Sequence, residues 1–162
     1  MQALIYSMSG LGNKIMLLEK ADLTNDEFII IKQYLPHFDQ LITYQMLGSS
    51  IVKINIFNYD GSRAKNCGNG IRCLAKLLYD SKQCSQLEVK IASEIIKTTI
   101  KDETISVAMS LPQIKDVVNL TEYNLGKGYI VDVGNKHLVL FYKQLDDYES
   151  IAKKLETKFN NE

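Results

Sequence analysis

The stretch that decides the fold runs Asn66-Cys67-Gly68-Asn69-Gly70-Ile71-Arg72-Cys73-Leu74-Ala75-Lys76-Leu77-Leu78-Tyr79. Ile71, Leu74, Ala75 and Leu78 recur at i, i+3, i+4 and i+7, the spacing of one helical face. Cys73 and Leu77 are apolar on the other side, so this helix is expected to be buried on most of its faces. A helix buried that way needs other elements wrapped around it, and its flanks read as strands. In Ile51 to Phe57, Val52, Ile54 and Ile56 share one face, while Lys53, Asn55 and Phe57 share the other. Asn58 continues the Val52 face and sets a carboxamide at the end of an apolar stripe. Asp60-Gly61 is then a tight-turn signal.

Towards the N-terminus, Leu41 to Met46, Lys14 to Glu19 and Ala3 to Met8 read as further strands. Ser9-Gly10-Leu11-Gly12-Asn13 is a turn, because Gly and Asn tolerate positive φ. Thr24-Asn25-Asp26-Glu27 has the form of a capping box, with Thr24 as N-cap and Glu27 reaching back. Phe28, Ile31 and Leu35 follow at helical spacing and Pro36 stops the helix. Towards the C-terminus, Leu87 to Ala92, Ile95 to Ile100 and Thr104 to Met109 are strands, with a turn at Lys101-Asp102-Glu103. Residues 112–128 are weakly patterned and mark a boundary between two lobes, 1–111 and 112–162. Tyr129 to Val133 and His137 to Tyr142 are strands. Tyr148, Ile151, Ala152, Leu155 and Phe159 make one face of a closing helix. The whole is an α+β pattern.

Composition bounds the function. The 162 residues are 46% hydrophobic and 23% charged, ordinary for a folded domain. The 19 basic and 19 acidic residues cancel, which argues against a nucleic-acid partner held by broad electrostatic attraction. No apolar run approaches the roughly 20 residues of a membrane helix, and no signal peptide is read at the N-terminus. Three cysteines, an odd count, point to free thiols in a reducing cytoplasm. No Cys-x-x-Cys pair supports a structural zinc site, and no metal is expected. Gly10-Leu11-Gly12 is discounted as a dinucleotide fingerprint, since Ile15 replaces the third glycine and a strand follows.

Cys67 is the strongest candidate for chemistry. It precedes Gly68-Asn69-Gly70 and a helix start, where unpaired N–H groups and the positive end of the helix dipole lie. Two glycines would let the backbone turn sharply. A thiol there is expected to have a lowered pKa and to act as a base or nucleophile, and the same N–H groups can hold a carboxylate. The plainer alternative is a small buried hydrophobe in a tight turn. Cys73 reads as core and Cys84 as incidental. His137 reads as structural when taken alone, and Gln40 as a turn residue.

Together the motifs are more specific. Phe57-Asn58-Tyr59-Asp60-Gly61-Ser62, Asn66-Cys67-Gly68-Asn69-Gly70 and Arg72-Cys73 resemble the first active-site segment of the diaminopimelate epimerase family. Gly10-Leu11-Gly12-Asn13 and Phe38-Asp39-Gln40 are similar to its opening motifs, and Val131 to His137 is similar to its Gly-Asn-Pro-His segment. Four motifs stand in family order. This sequence departs in having Ser9, Lys14 and Lys136 where the family usually has His, Asp and Pro.

The resemblance implies a lobe with a curved, mostly antiparallel sheet around a central helix, plus an incomplete second lobe with the active site between the two. It implies an isomerase without a cofactor that interconverts LL- and meso-diaminopimelate in lysine and peptidoglycan-precursor biosynthesis, using one cysteine from each lobe. By that resemblance Cys67 is the first-lobe cysteine and His137 supports catalysis. Asn13, Gln40, Asn58 and Asn135 contact the substrate through side chains, and Gly68 and Asn69 through backbone N–H groups. The second cysteine motif is not found before Glu162, nor in Gln144 to Glu162. The implied partners are therefore diaminopimelate and either a complementary second-half chain or a second copy in a homodimer, with no nucleic acid and no membrane. The alternatives are a truncated remnant without catalysis, one half of a split enzyme, and a related amino-acid racemase or isomerase.

Overall fold

The computed structural model describes residues 4–142 and 147–159. Ala3, Gln144 and residues 160–162, which the expectations above touch, lie outside the described residues. The chain forms two compact units, Met1–Ser110 and Leu111–Glu162.

The first unit runs β1 (Ile5–Gly10), β2 (Asn13–Glu19), α1 (Asn25–Tyr34), β3 (Gln40–Met46), β4 (Ile51–Asn58), β5 (Arg63–Ala64), α2 (Gly68–Lys82), β6 (Gln86–Ile91), β7 (Glu94–Lys101) and β8 (Thr104–Val107). Its sheet has the order β1-β2-β3-β4-β6-β7-β8, with β5 pairing β4. Only β2–β3 and β4–β6 are parallel. Each of those pairs spans a helix, since a parallel pair needs a crossover that a tight turn cannot supply. α2 touches β1 and β2 near one edge of the sheet and β7 and β8 at the other. One helix can reach both edges only if the sheet curls around it, so the fold is an α+β unit with a curled mixed sheet about a central helix.

Strand alternation puts two different cores on the two sheet faces. The face towards α2 carries Ile15, Leu17, Ile42, Ile54 and Ile56, packed with Ile71, Leu74, Ala75 and Leu78 of the helix. Full burial of each large aliphatic side chain is worth about 1.5–3 kcal/mol, so this seam outweighs any cap or surface pair. The other face carries Met16, Leu18, Leu41 and Phe57 against Phe28 of α1 and Phe38. The Phe28 ring stacks on Phe57 at 5.8 Å and meets Phe38 edge-on at 6.3 Å. Thr24 and Glu27 form the capping box as the sequence suggests.

The first hairpin differs from expectation in detail. Asn13 does not take positive φ; Leu11 (50°) and Gly12 (90°) make the two-residue loop, and Gly10 pairs with Asn13. Loops of this kind need positive φ at both central positions to match strand twist.

The second unit runs β9 (Gln113–Asn119), a 3-10 turn (Thr121–Tyr123), β10 (Lys127–Asp132), β11 (Lys136–Val139) and α3 (Tyr148–Phe159). The strands form an antiparallel sheet in the order β11-β10-β9. The weak pattern of residues 112–128 conceals β9, because Val118 alone in that strand is even half-buried. Backbone pairing with β10 holds it, not an apolar face, and the register slips between Ile130 and Val131. β11 stops at Val139, short of Tyr142. Leu155 anchors α3 on Leu120 and Leu125, whereas Tyr148 and Ala152 of the expected apolar face are exposed. No helix among the described residues is long and apolar enough to cross a membrane.

Candidate active site

Cys67 is the N-cap of α2, in extended backbone with φ −155°. Its Sγ accepts the N–H of Gly70 at 3.1 Å, taking up one of the donors that a helix start leaves unpaired. The glycines serve close approach rather than a sharp turn, since neither Gly68 nor Gly70 has positive φ. A Cβ on Gly70 would overlap Ile42 Cδ1 and come within 3.2 Å of Cys67 Sγ. A Cβ on Gly10 would lie 3.0 Å from Cys73 Sγ and 3.1 Å from the Asn69 carbonyl oxygen. The bare backbone at these positions lets β1, β3 and the thiol meet the first turn of the helix.

The expected lowering of the thiol pKa is reversed. Burial pushes Cys67 up from the ordinary thiol value of 9.0. The N–H groups of Gly70 and Asn69 and the Arg72 guanidinium pull the other way and only partly offset it. Without ligand the thiol is held neutral at physiological pH. Burial likewise raises Cys73, with Cys67 adding to the rise and Arg72 opposing it.

Three carboxamides stand at neighbouring strand ends on the α2 face. Pairing aligns Ile15 with Gln40 and Gln40 with Asn58, and Asn13 lies two residues before Ile15 on the same face. Gln40 Nε2 donates to Asn58 Oδ1 at 3.2 Å, and Asn58 Nδ2 donates to Ser62 Oγ at 3.0 Å. Asn69 Nδ2 donates to Asn13 Oδ1 at 2.8 Å, tying the end of the sheet to the helix start. The Arg72 guanidinium donates to Asn69 Oδ1. The first unit therefore brings together Asn13, Gln40, Asn58, Cys67, Gly68 and Asn69.

Asn135 and His137 belong to the second unit. Asn135 lies in the turn from β10 to β11, where its carbonyl accepts the Val133 N–H at 3.1 Å and Gly134 takes φ 100°. His137 pairs with Val131 on β11. It is exposed and lines a depression of about 440 Å³ with Lys115, Asp116 and Phe159. A second depression of about 440 Å³ in the first unit, lined by Lys14, His37, Phe38, Asp39 and Tyr59, belongs to the Phe38 side of the sheet. Among the described residues no group of three or more His, Cys, Asp or Glu could hold a metal ion.

Two contributors escaped the sequence reading. Arg72 stands near the start of a helix whose first turn has no acidic residue, a placement the helix dipole disfavours. That misfit is the signal which could have marked it. Ser62 closes the Phe57 to Ser62 motif without a role of its own there, and its bond to Asn58 follows from β4 and β5 folding back on each other.

A curled sheet about a central helix is a fold that recurs in solved structures. A predicted epimerase from Pseudomonas aeruginosa matches with a TM-score of 0.64 and 12% identity, over 89% of this chain and 61% of that one. A phenazine biosynthesis protein of the PhzF family from Enterococcus faecalis matches with a TM-score of 0.65 and 17% identity, over 88% of this chain and 59% of that one. At these identities the likeness is one of fold. The sequence goes further: the family description "Diaminopimelate epimerase" matches residues 5–115. Curated diaminopimelate epimerases of Rickettsia bellii and Rickettsia akari are 34% and 32% identical over 93% of this chain. The chain belongs to the diaminopimelate epimerase family. It spans 63% of the length of those relatives.

Proposed function

We propose that this chain supplies the Cys67 half of a diaminopimelate epimerase working in the cytoplasm without a cofactor. One observation carries the reading. A partly buried thiol caps the start of α2, and the first turn of that helix is bonded through Asn69 to the end of a row of carboxamides. An amino-acid α-proton is a weak acid, so its removal needs donors preorganised around the carboxylate that shares the developing charge. The N–H groups at the start of α2, those of Gly68 and Asn69 among them, are such donors. Cys67 moves the proton on one face of the α-carbon, giving it up as a thiol or taking it as a thiolate. Arg72 and the cap N–H favour the thiolate when it forms. Asn13, Gln40, Asn58 and Asn135 bind the zwitterion, and His137 supports the site. Inversion also needs a proton carrier on the opposite face of the α-carbon, a second thiol expected from the other lobe.

A second reading is a protein that binds an amino-acid carboxylate without turnover. It is favoured by the burial that holds the Cys67 thiol above its ordinary value, against its ionisation as a base. Proton exchange of diaminopimelate in D₂O, followed by NMR with the purified chain and with Cys67→Ala, separates the two. The epimerase reading expects α-proton exchange that Cys67→Ala abolishes. Exchange surviving in Cys67→Ala sinks the assignment of the base. Binding with no exchange, even after a chain bearing the second motif is added, leaves the non-catalytic reading.

A further inference from the structure

Four side chains of the first unit form a hydrogen-bond chain whose direction is set at one end. Asp60 Oδ1 accepts the Ser62 backbone N–H at 2.8 Å and the Ser62 hydroxyl at 2.6 Å. Those two bonds hold the Asp60 carboxyl below its ordinary value, so it is ionised at neutral pH. An ionised carboxylate only accepts, and a hydroxyl has one proton to give. The Ser62 oxygen therefore faces Asn58 as an acceptor, and Asn58 must present its Nδ2 there, at 3.0 Å. The Asn58 oxygen is left facing Gln40, which must present Nε2, at 3.2 Å. A carboxamide carries its donor and acceptor on opposite arms. Gln40 Oε1 consequently sits on the far arm, where it is buried and has no donor among the described residues. Turning either amide round would set donor against donor or acceptor against acceptor, so the chain runs in one direction only.

We infer that Asp60, acting through Ser62 and Asn58, is a positioning residue that fixes Gln40 as a hydrogen-bond acceptor for the ammonium group of a ligand. The location suits this. Gln40 and Ile42 share a face of β3, and Ile42 packs on Gly70 in the first turn of α2. A carboxylate is drawn to the helix start, and an acceptor two residues along β3 from the Ile42–Gly70 contact completes the recognition of a zwitterion. That the ligand is diaminopimelate rests on the function proposed above; the direction of the chain does not.

The test uses the full chain, isotope-labelled, with side-chain amide NOEs as the readout. The Asn58 NH₂ protons are expected to contact the Ser62 β-protons, and the Gln40 NH₂ protons the Asn58 β-protons. Ser62→Ala and Asp60→Ala should scramble both patterns, and Ser62→Thr, which keeps the hydroxyl, should retain them. Contact of the Asn58 NH₂ with the Gln40 γ-protons in the wild type overturns the inference. So does a wild-type pattern that persists in Ser62→Ala. The ligand role is read from NMR titrations with LL-diaminopimelate and with pimelate, the same dicarboxylate without amines. Asp60→Ala should weaken diaminopimelate about tenfold while leaving pimelate within about twofold, since only the diamine loses its acceptor. Equal weakening of both overturns the ligand role. If the NOE pattern holds and neither compound binds, the diaminopimelate reading falls and the positioning of Gln40 stands.

Discussion

The two units bury their chains in different ways. In the first, each central strand offers one face to α2 and the other to the Phe28 cluster, so sliding a strand by one residue would exchange its two sets of side chains. Register is over-determined there, and the carboxamides at the strand ends inherit that precision. In the second, Leu120, Leu125 and Leu155 are the buried core among the described residues. Leu111, Ile114, Val117 and Phe141 are exposed, and β9 is held by backbone pairing. A small sheet with a three-leucine core specifies its register weakly. The lesson is that placing a polar side chain accurately depends on apolar packing one or two residues away.

The largest test of that contrast is a pair of core truncations. Leu74→Ala should cost about 2–5 kcal/mol, because a fully buried helix residue leaves a cavity that the curled sheet cannot close. Leu155→Ala, in a looser setting, should fall at or below about 2 kcal/mol, the bottom of that range. Denaturant unfolding followed by amide NMR reads each unit separately, and equal losses would break the comparison.

A pair of glycines comes next. Gly70→Ala should cost about 1–3 kcal/mol through its overlap with Ile42, and should disturb the Cys67 cap as well. Gly126→Ala has open space and no positive φ, so it should be neutral or stabilise by about 0.4–1 kcal/mol through the unfolded chain. Thermal unfolding distinguishes them, and a benign Gly70→Ala would show that the first turn of α2 is not tightly seated.

The smallest effect concerns pH. The Cys67 pKa is higher folded than unfolded, so the unfolded chain gives up this proton first. Stability linked to the thiol is complete below the ordinary thiol pKa and lost as pH rises through the raised folded value. Alkylation of Cys67 by iodoacetamide should accordingly reach half its maximal rate above pH 9.0. Arg72→Ala should move that midpoint higher still. A midpoint below the ordinary value would mean that the cap outweighs burial.

Much of the first unit was legible because its elements carry their own signals. The capping box at Thr24, the alternation of Val52, Ile54 and Ile56, and the helical period after Cys67 are local patterns that tertiary packing reinforces. β9 was illegible because a strand held by pairing has no face to advertise. β5, two residues long, is too short for any period. Of the site, the thiol and the row of carboxamides could be read from their motifs. The roles of Arg72 and Ser62 could not, because the direction of a side-chain hydrogen bond is set by the folded geometry and not by spacing.

The sequence by itself determined that a thiol precedes a mostly buried helix and that carboxamides end the neighbouring apolar strands, since period and motif are properties of the chain. Only the tertiary structure decided that Gly70 is there for closeness, that burial outweighs the helix end at Cys67, and which way the amides of Asn58 and Gln40 point. Those three depend on distances between residues far apart in sequence, and desolvation, steric overlap and hydrogen-bond direction exist only once such residues are brought together.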